Sequence, residues 1–249
     1  MNIHQHQQLI QLGVGLNPLL HLHRMSVVGN TFDFIQAAHV AIDAGADVFS
    51  FILTEQNAGI SLPLLKQLIL LNRVPVQVIV APVAPIFEWF ADDLPASVCF
   101  AQIVDEAAYP ISVVSECVQN TLRETLLRLQ VAGVRVSMLL PEDQEDFSMF
   151  GMSEIDAVAL GRVQSRGAEQ RKLDVVKLSL TARCAVGAGF VVESFGSLAP
   201  FDIEAIAIVP DIATIFVDQI LFVSAFANGW EKAVRDMKAR IVRSRVQFR

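Results

Sequence analysis

The chain has 249 residues, of which 53% are hydrophobic, and its formal net charge is −7. This length suits a single α/β barrel of about 250 residues as well as two small domains, and the high hydrophobic content favours one large core. The acidic balance argues against general nucleic-acid binding, which needs a basic face.

Several features bear on where the protein works. The best candidate for a membrane span, residues 212–230, contains Asp218. A carboxylate there costs about 2.5–3.5 kcal/mol, so we predict no span and expect the excess apolar surface to be buried in a homo-oligomer, from a dimer to an octamer. No basic segment followed by an apolar one opens the chain, so no secretory signal is expected. Cys99, Cys117 and Cys184 are odd in number and far apart, as expected for reduced, mostly buried thiols of a cytoplasmic protein.

Apolar segments typical of strands alternate with amphipathic helical segments along the chain. Strands are predicted at residues 9–17, 47–53, 74–81, 98–103, 134–140, 156–160, 190–193 and 214–217. Helices are predicted at 32–44, 62–71, 85–93, 113–132, a short segment after 141, 168–188, 201–208 and 225–242, the first capped by Asn30 or Thr31. Repeated β-then-α units of about thirty residues predict a closed (β/α)8 TIM barrel, formed by residues 1–249 as one domain with a polar tail at 1–8.

Two predicted strands near the C-terminus each end in a carboxylate, Glu193 and Asp218. In a parallel barrel the C-terminal ends of the strands host the chemistry. The two could form an acid pair, in which mutual repulsion raises one pKa and makes that group a proton donor. Alternatively, one or both point outward or form structural ion pairs with Arg24 or Arg162, because facing depends on strand register.

Other polar residues follow the predicted strands and have a functional and an ordinary interpretation. His21 and His23 fall on the loop after the first strand, where a metal would need them together with a carboxylate. Alternating loop histidines are more often surface residues, so we predict no metal and no cofactor. Glu55 begins a polar segment that could line the barrel mouth, and residues 105–109 follow the fourth strand, where a solvated loop is the preferred interpretation.

Four segments, at residues 34–47, 127–137, 202–210 and 233–238, resemble the pyridoxine 5'-phosphate synthase family. The resemblance covers nearly the whole chain in order. It implies a cytoplasmic (β/α)8 barrel, often an octamer, that condenses 1-deoxy-D-xylulose 5-phosphate with a 3-amino-2-oxopropyl phosphate.

The chain departs from this family where the family's chemistry resides. The family's Asn-x-Asp-His motif after the first strand matches Gly15, Asn17 and Pro18, and its catalytic Glu of the third strand falls on Ile79. Of the His-x-Arg-Glu-Asp-Arg-Arg-His motif, which begins here at Ile52, only the Glu is retained, as Glu55.

The later motifs are replaced as well. The family's Asn-Ala-Gly-His-Gly in the seventh strand becomes the Glu-Ser-Phe-Gly-Ser of residues 193–197, and its Gly-His in the eighth becomes Asp218 and Gln219. Of the sixth strand's Glu-x-His-Thr-Gly only Gly161 remains. Carboxylates at the mouth oppose a phosphate: unit charges about 4 Å apart at an effective dielectric near 20 repel by about 4 kcal/mol, roughly a thousandfold in affinity.

These replacements predict that the condensation chemistry is lost, since Ile52 and Ile79 cannot transfer protons. The leading hypothesis is a repurposed barrel that binds or transforms a mainly apolar, non-phosphorylated molecule, with Glu193 and Asp218 as acid/base candidates. The predicted substrate-binding residues are Asn17, Ile52, Glu55, Ile79, Phe195, Phe216 and Gln219. The alternatives are a non-catalytic scaffold or regulatory subunit and, ranked last, retained pyridoxine 5'-phosphate synthesis.

Overall fold

The protein is built around a barrel of parallel strands. The computed structural model describes residues 9–26, 32–91, 93–111, 116–144, 147, 154–162, 168–196 and 200–247. Its strands are β1 (Gln11–Gly15), β2 (Val48–Ile52), β3 (Val76–Val80), β4 (Ser97–Phe100), β5 (Gln102–Val104), β6 (Ala107–Tyr109), β7 (Arg135–Pro141), β8 (Ala157–Arg162), β9 (Val191–Gly196) and β10 (Ile212–Val217). Eight of them close in the order β1-β10-β9-β8-β7-β4-β3-β2, and β5 and β6 form a separate hairpin. The predicted TIM barrel is confirmed.

Helices follow the strands and cover the outside of the barrel. They are α1 (Asn17–Met25), α2 (Phe34–Asp43), α3 (Glu55–Leu71), α4 (Ile86–Phe90), α5 (Glu116–Val131), α6 (Ala168–Gly187), α7 (Pro200–Ala207), α8 (Gln219–Asn228) and α9 (Trp230–Gln247). Among the residues that the structure describes, no helix is long and apolar enough to cross a bilayer.

The hydrophobic core has two layers, because alternate residues of each strand point to opposite faces. Outward-facing side chains such as Val14, Phe49 and Phe51 pack in the large cluster between the strands and the helices. Inward-facing side chains form a separate apolar cluster in the lumen, made of Val48, Ile52, Ile79, Cys99, Ala101, Leu139, Ala159, Phe195 and Phe216. The strands are nearly continuous apolar runs because both of their faces are buried.

The N-terminal helices differ from the prediction. The first strand ends at Gly15, and α1 follows at once with Pro18 in its first turn, where a missing N–H costs least. His21 and His23 therefore lie on a helix and not on a loop. The N-cap of α2 is Asp33, whose side chain accepts a hydrogen bond from Gln36, and the predicted caps lie at 30–31, outside the described residues.

Helix α3 begins seven residues before the predicted start at residue 62, at Glu55. Thr54 and Asn57 form a capping box: Thr54 Oγ1 accepts from Asn57 N at 3.2 Å, and Asn57 Oδ1 accepts from Thr54 N at 2.9 Å. These reciprocal hydrogen bonds satisfy backbone donors at the start of the helix, so the helix can begin directly after β2. The predicted polar mouth segment is thus the first turn of a helix.

The last predicted helix is two helices. Helix α8 ends at Gly229, which has a φ of +82° that favours glycine, and α9 starts at the next residue. The basic C-terminal end of α9 is not wholly solvated, because Arg245 donates hydrogen bonds to carbonyl oxygens of residues 207, 209, 210 and 212. Arg245 thereby fixes α9 to the segment between α7 and β10.

Other element boundaries in the structure also differ from the predicted ones. The predicted fourth strand is β4 followed by the first strand of the hairpin, and β9 extends three residues beyond Glu193. The polar tail, the start of the helix predicted at 113 and most of the segment after 141 lie outside the described residues. Cys99 is buried as expected, whereas Cys184 is exposed on α6.

Candidate functional site

A cavity of about 810 Å³ opens at the C-terminal ends of the barrel strands. Its floor includes Ile52, Leu139 and Phe195, which end or nearly end β2, β7 and β9. Its rim is formed by the start of α1, the start of α8 and the β5–β6 hairpin. The cavity therefore lies where (β/α)8 barrels place their chemistry, and we call it the mouth cavity.

The aromatic pair predicted to line the mouth is split between the cavity and the lumen. The rings of Phe195 and Phe216 lie 5.8 Å apart between centroids, but only Phe195 is among the residues that line the cavity. Phe216 packs against β1, where a Cβ on Gly13 would lie 2.2 Å from its ring. Ile79 is buried in the same lumen cluster. Phe216 and Ile79 support the floor from below and, contrary to prediction, do not line the cavity described here.

The β5–β6 hairpin covers one side of the cavity, and the sequence did not predict it. Its turn residues Asp105 and Glu106 have φ values of +49° and +59°, as in a two-residue type I′ turn. Arg24 on α1 donates from Nη1 to both carboxylate oxygens of Glu106, at 3.0 Å each, and His21 Nε2 lies 3.9 Å from Glu106 Oε2. The hairpin is thereby tied to α1 across the rim. The sequence signal for this hairpin was the polar pair Asp105-Glu106 between two apolar segments.

Asp218 lies at the rim as the N-cap of α8. Its Oδ1 accepts a hydrogen bond from Gln219 N at 2.5 Å, and Gly15 leaves room for it, since a Cβ there would lie 2.6 Å from Asp218 Cβ. Burial raises the pKa of the Asp218 carboxyl, and backbone hydrogen bonds only partly oppose this shift. Asp218 lines the cavity, and among the described residues no cation forms an ion pair with it.

Glu193 points into the barrel but lies below the mouth. It is 1% exposed, pairs with Arg135 Nη1 at 2.7 Å and accepts a hydrogen bond from Gln77 Nε2 at 2.9 Å. Arg135 begins β7 and Gln77 is the second residue of β3, so the pair lies toward the N-terminal ends of the strands.

The proposed acid pair of Glu193 and Asp218 therefore does not fit this geometry. Only Asp218 lines the mouth cavity, and Glu193 is held in a structural ion pair one inward-facing position below Phe195. Of the two alternative partners expected from the sequence, Arg24 binds Glu106, and the side chain of Arg162 lies outside the described part of the chain.

The remaining predicted residues divide between the cavity and the exterior. Asn17 lines the cavity, but its amide accepts from Ile52 N at 2.9 Å and donates to Ile52 O at 3.4 Å, which joins α1 to the end of β2. Gln219 is exposed at the rim and lines the cavity. Glu55 is exposed in the first turn of α3 and is not among the lining residues that the structure describes.

Residues 12–243 match the family model of the Pyridoxal phosphate biosynthesis protein PdxJ. The chain belongs to this family. The resemblance inferred from four sequence segments is thus confirmed, and the PdxJ match runs from β1 into α9.

Two relatives of this PdxJ-family chain are pyridoxine 5'-phosphate synthases. The protein of Coxiella burnetii is 22% identical over 241 residues, which cover 94% of this chain and 98% of the relative. The protein of Magnetococcus marinus is 29% identical over 132 residues, which cover 52% of this chain and only 54% of the relative.

Solved structures with low sequence identity share the fold. They include KGPDC from Streptococcus mutans, with a TM-score of 0.61, 14% identity and coverage of 95% of this chain and 99% of that one. The 3-hexulose-6-phosphate synthase of Salmonella typhimurium has a TM-score of 0.61, 11% identity and coverage of 96% and 100%. At these identities the likeness concerns the barrel alone.

Proposed function

We propose that this PdxJ-family barrel has lost the parent condensation and phosphate sites and binds or transforms a mainly apolar, non-phosphorylated small molecule in the mouth cavity. The observation that carries this proposal is the carboxylate of Asp218, which caps α8 at the rim of the cavity. We propose further that the protein acts in the cytoplasm as a homo-oligomer.

The position of Asp218 is the position where a barrel usually receives a phosphate. Phosphate sites in this fold use the loops after the last two strands and the N-terminus of a short extra helix. Helix α8 is such a helix, inserted between β10 and α9. Its first N–H donates to Asp218, so the chain's own carboxylate occupies the electropositive helix end. A phosphate dianion would have to displace this bond and approach a negative charge.

The cavity walls support an apolar ligand. Ile52, Leu139 and Phe195 form much of the floor, and Phe222 of α8 contributes to the wall. Small-molecule sites typically have volumes of about 300–1,000 Å³ and mainly apolar walls with a few polar groups. The mouth cavity, at about 810 Å³, falls in this range.

If the protein catalyses a reaction, Asp218 is the acid/base candidate that remains. Burial raises its pKa, which brings a carboxyl closer to the protonation balance that general acid–base catalysis needs. Ile52 and Ile79 supply no titratable group at the positions where they stand. Glu193 is engaged with Arg135 and would act only as a structural residue.

Each of the two alternative functions is supported by one specific observation. Retained pyridoxine 5'-phosphate synthesis is favoured by the alignment to the Coxiella burnetii relative over 94% of the chain. A scaffold or regulatory role is favoured by the aromatic rings that fill the lumen below the cavity. Both can be separated from the proposed ligand binder by experiment.

Complementation of a pyridoxine-requiring bacterial strain tests the first alternative. We expect no growth without supplement when this chain is expressed, while the Coxiella burnetii synthase expressed at the same level restores growth. Growth supported by this chain would overturn the proposed loss of the parent reaction.

Binding of Nile red, a neutral apolar dye, tests the proposed site. Its fluorescence should rise on binding, and Ala108→Trp, which fills the cavity from the hairpin, should weaken binding about tenfold or more. Ala239→Trp on the exposed face of α9 is the matched control and should leave binding unchanged. Absence of binding, or equal binding by both variants, would favour the scaffold.

A further inference from the structure

The mouth cavity contains one carboxylate that forms no ion pair with any residue the structure describes. Glu106 and Asp218 both line it, but Glu106 is held at 3.0 Å by the guanidinium of Arg24. Within the described part of the chain Asp218 is held by backbone N–H groups alone, among them that of Gln219 on Oδ1. Among the described residues, Asp218 is therefore the carboxylate in the cavity that has no cationic partner.

The pKa of the Asp218 carboxyl is consistent with this lack of a described cationic partner. A buried carboxylate that lacks a positive partner has a raised pKa, and burial is the main cause of the shift at Asp218. A cation brought into the cavity would form a charge-assisted hydrogen bond there, which is stronger than a neutral one. No lysine or arginine is among the described residues that line the cavity.

Aromatic side chains line the same cavity. Tyr109 comes from the hairpin, Phe195 from β9 and Phe222 from α8. The faces of aromatic rings attract ammonium groups that lie within about 6 Å of the ring centroid. A carboxylate and several aromatic rings around one space make a site suited to an amine on an apolar body, whereas neither feature favours an anion.

We propose that the mouth cavity binds a ligand with a cationic amine on an apolar, aromatic or aliphatic body, and that Asp218 holds the ammonium group while the aromatic walls enclose the body. This inference rests on the proposed function and adds the chemical class of the ligand to it. It also assigns Asp218 as the residue that distinguishes amines from neutral and acidic molecules of the same shape.

Displacement of Nile red by three matched probes tests the inference. The probes are 2-phenylethylamine, the neutral 2-phenylethanol and the anionic 3-phenylpropanoate, all at pH 7. We expect the amine to bind about tenfold more tightly than the alcohol, because hydrogen bonds to charged groups are about twice as strong as neutral ones, and the carboxylate to bind most weakly.

Asp218→Asn isolates the role of the charge, since Asn is as good an N-cap as Asp and preserves the start of α8. In this variant the preference for the amine over the alcohol should be lost. Glu204→Gln, an exposed carboxylate outside the cavity, is the control and should retain the wild-type preference for the amine.

The outcomes separate this inference from the proposed function. If the amine and the alcohol bind wild-type protein equally, the inference is wrong while the apolar ligand site stands. If the preference for the amine survives in Asp218→Asn, the assignment of Asp218 is wrong. If none of the probes displaces the dye and the dye itself does not bind, the proposed function fails and the inference fails with it.

Discussion

The buried ion pair between Glu193 and Arg135 offers the sharpest test of the structural assignment. Glu193→Gln keeps the shape and an acceptor for Gln77, but it removes the charge opposite Arg135. Removing one partner of a fully buried ion pair costs about 3–5 kcal/mol. Here Arg135 is 37% exposed and can regain water, so we expect a smaller loss, about 2–3 kcal/mol in the free energy of unfolding.

Urea denaturation followed by circular dichroism measures this loss. A loss of that size corresponds to a drop of about 4–12 °C in Tm for a chain of this length. The matched control is Glu204→Gln, which removes the same charge from the ion pair with Arg240, where the two side chains are 54% and 43% exposed. Surface pairs contribute about 0–1 kcal/mol, so the control should change stability little.

Nile red binding by the folded Glu193→Gln variant should equal that of the wild type, because Glu193 does not line the mouth cavity. Equal stability losses from the two Glu→Gln substitutions would refute the structural role of the buried pair. A loss of binding in a variant of unchanged stability would return Glu193 to the functional site.

The remaining predictions concern packing, thiol reactivity and pH. Gly13→Ala places a Cβ 2.2 Å from an aromatic ring and should lower the free energy of unfolding by about 1–3 kcal/mol in urea, whereas Gly59→Ala, with nothing within 4 Å, should raise it by about 0.5–1 kcal/mol. Burial raises the pKa of the Cys99 thiol to about 12, so iodoacetamide at pH 8 should label exposed Cys184 and spare Cys99 in mass spectra of the native protein. The pKa of Asp218 is raised above its ordinary 3.8, so the stability this group contributes is present below pH 3.8 and is lost as pH rises through the folded pKa. The side chain at position 218 does not titrate in the Asp218→Asn variant. The stability of this variant relative to the wild type should therefore rise as pH increases from 3.8 through the folded pKa of Asp218. Urea denaturation at a series of pH values measures this change.

Each of these expectations has a contrary outcome. Equal effects of the two glycine substitutions would mean that the lumen ring moves aside at little cost. Labelling of Cys99 at the rate of Cys184 would show that the lumen opens in the native protein. A relative stability of the Asp218→Asn variant that falls as pH rises would contradict the raised pKa.

The predicted positions of Asp218 and Glu193 at the ends of their strands had different outcomes in the structure. The prediction that Asp218 lies at the barrel mouth was sound because a residue directly after a barrel strand must lie at its C-terminal end. The same logic failed for Glu193, since β9 continues to Gly196 and carries Phe195 to the cavity in its place. An error of three residues in a strand boundary moved a carboxylate from the mouth into the lumen.

The hairpin at residues 102–109 was missed for a different reason. Its type I′ turn normally uses Asn-Gly, and Asp105 with Glu106 in positive φ gives only a weak sequence signal. The ion pair that ties the turn to the barrel reaches Arg24, which is distant in sequence. Local propensity does not predict such a contact, because it depends on where two elements meet in space.

Local patterns in the chain were enough to predict the (β/α)8 barrel, because alternating apolar strands and amphipathic helices recur along its whole length. The family was predicted from the resemblance of four sequence segments, which the family match confirms. The same resemblance predicted that family residues at the mouth are replaced, with Ile52 at the position of a His and Phe195 and Asp218 each at the position of a Gly. Two features emerged only from the folded structure: the pairing of Glu193 with Arg135, and the position of Asp218 in a cavity whose described lining residues include no lysine or arginine. Period-two alternation predicts which face a strand residue takes, but the depth of that residue and its partners depend on the stagger between strands in the closed barrel.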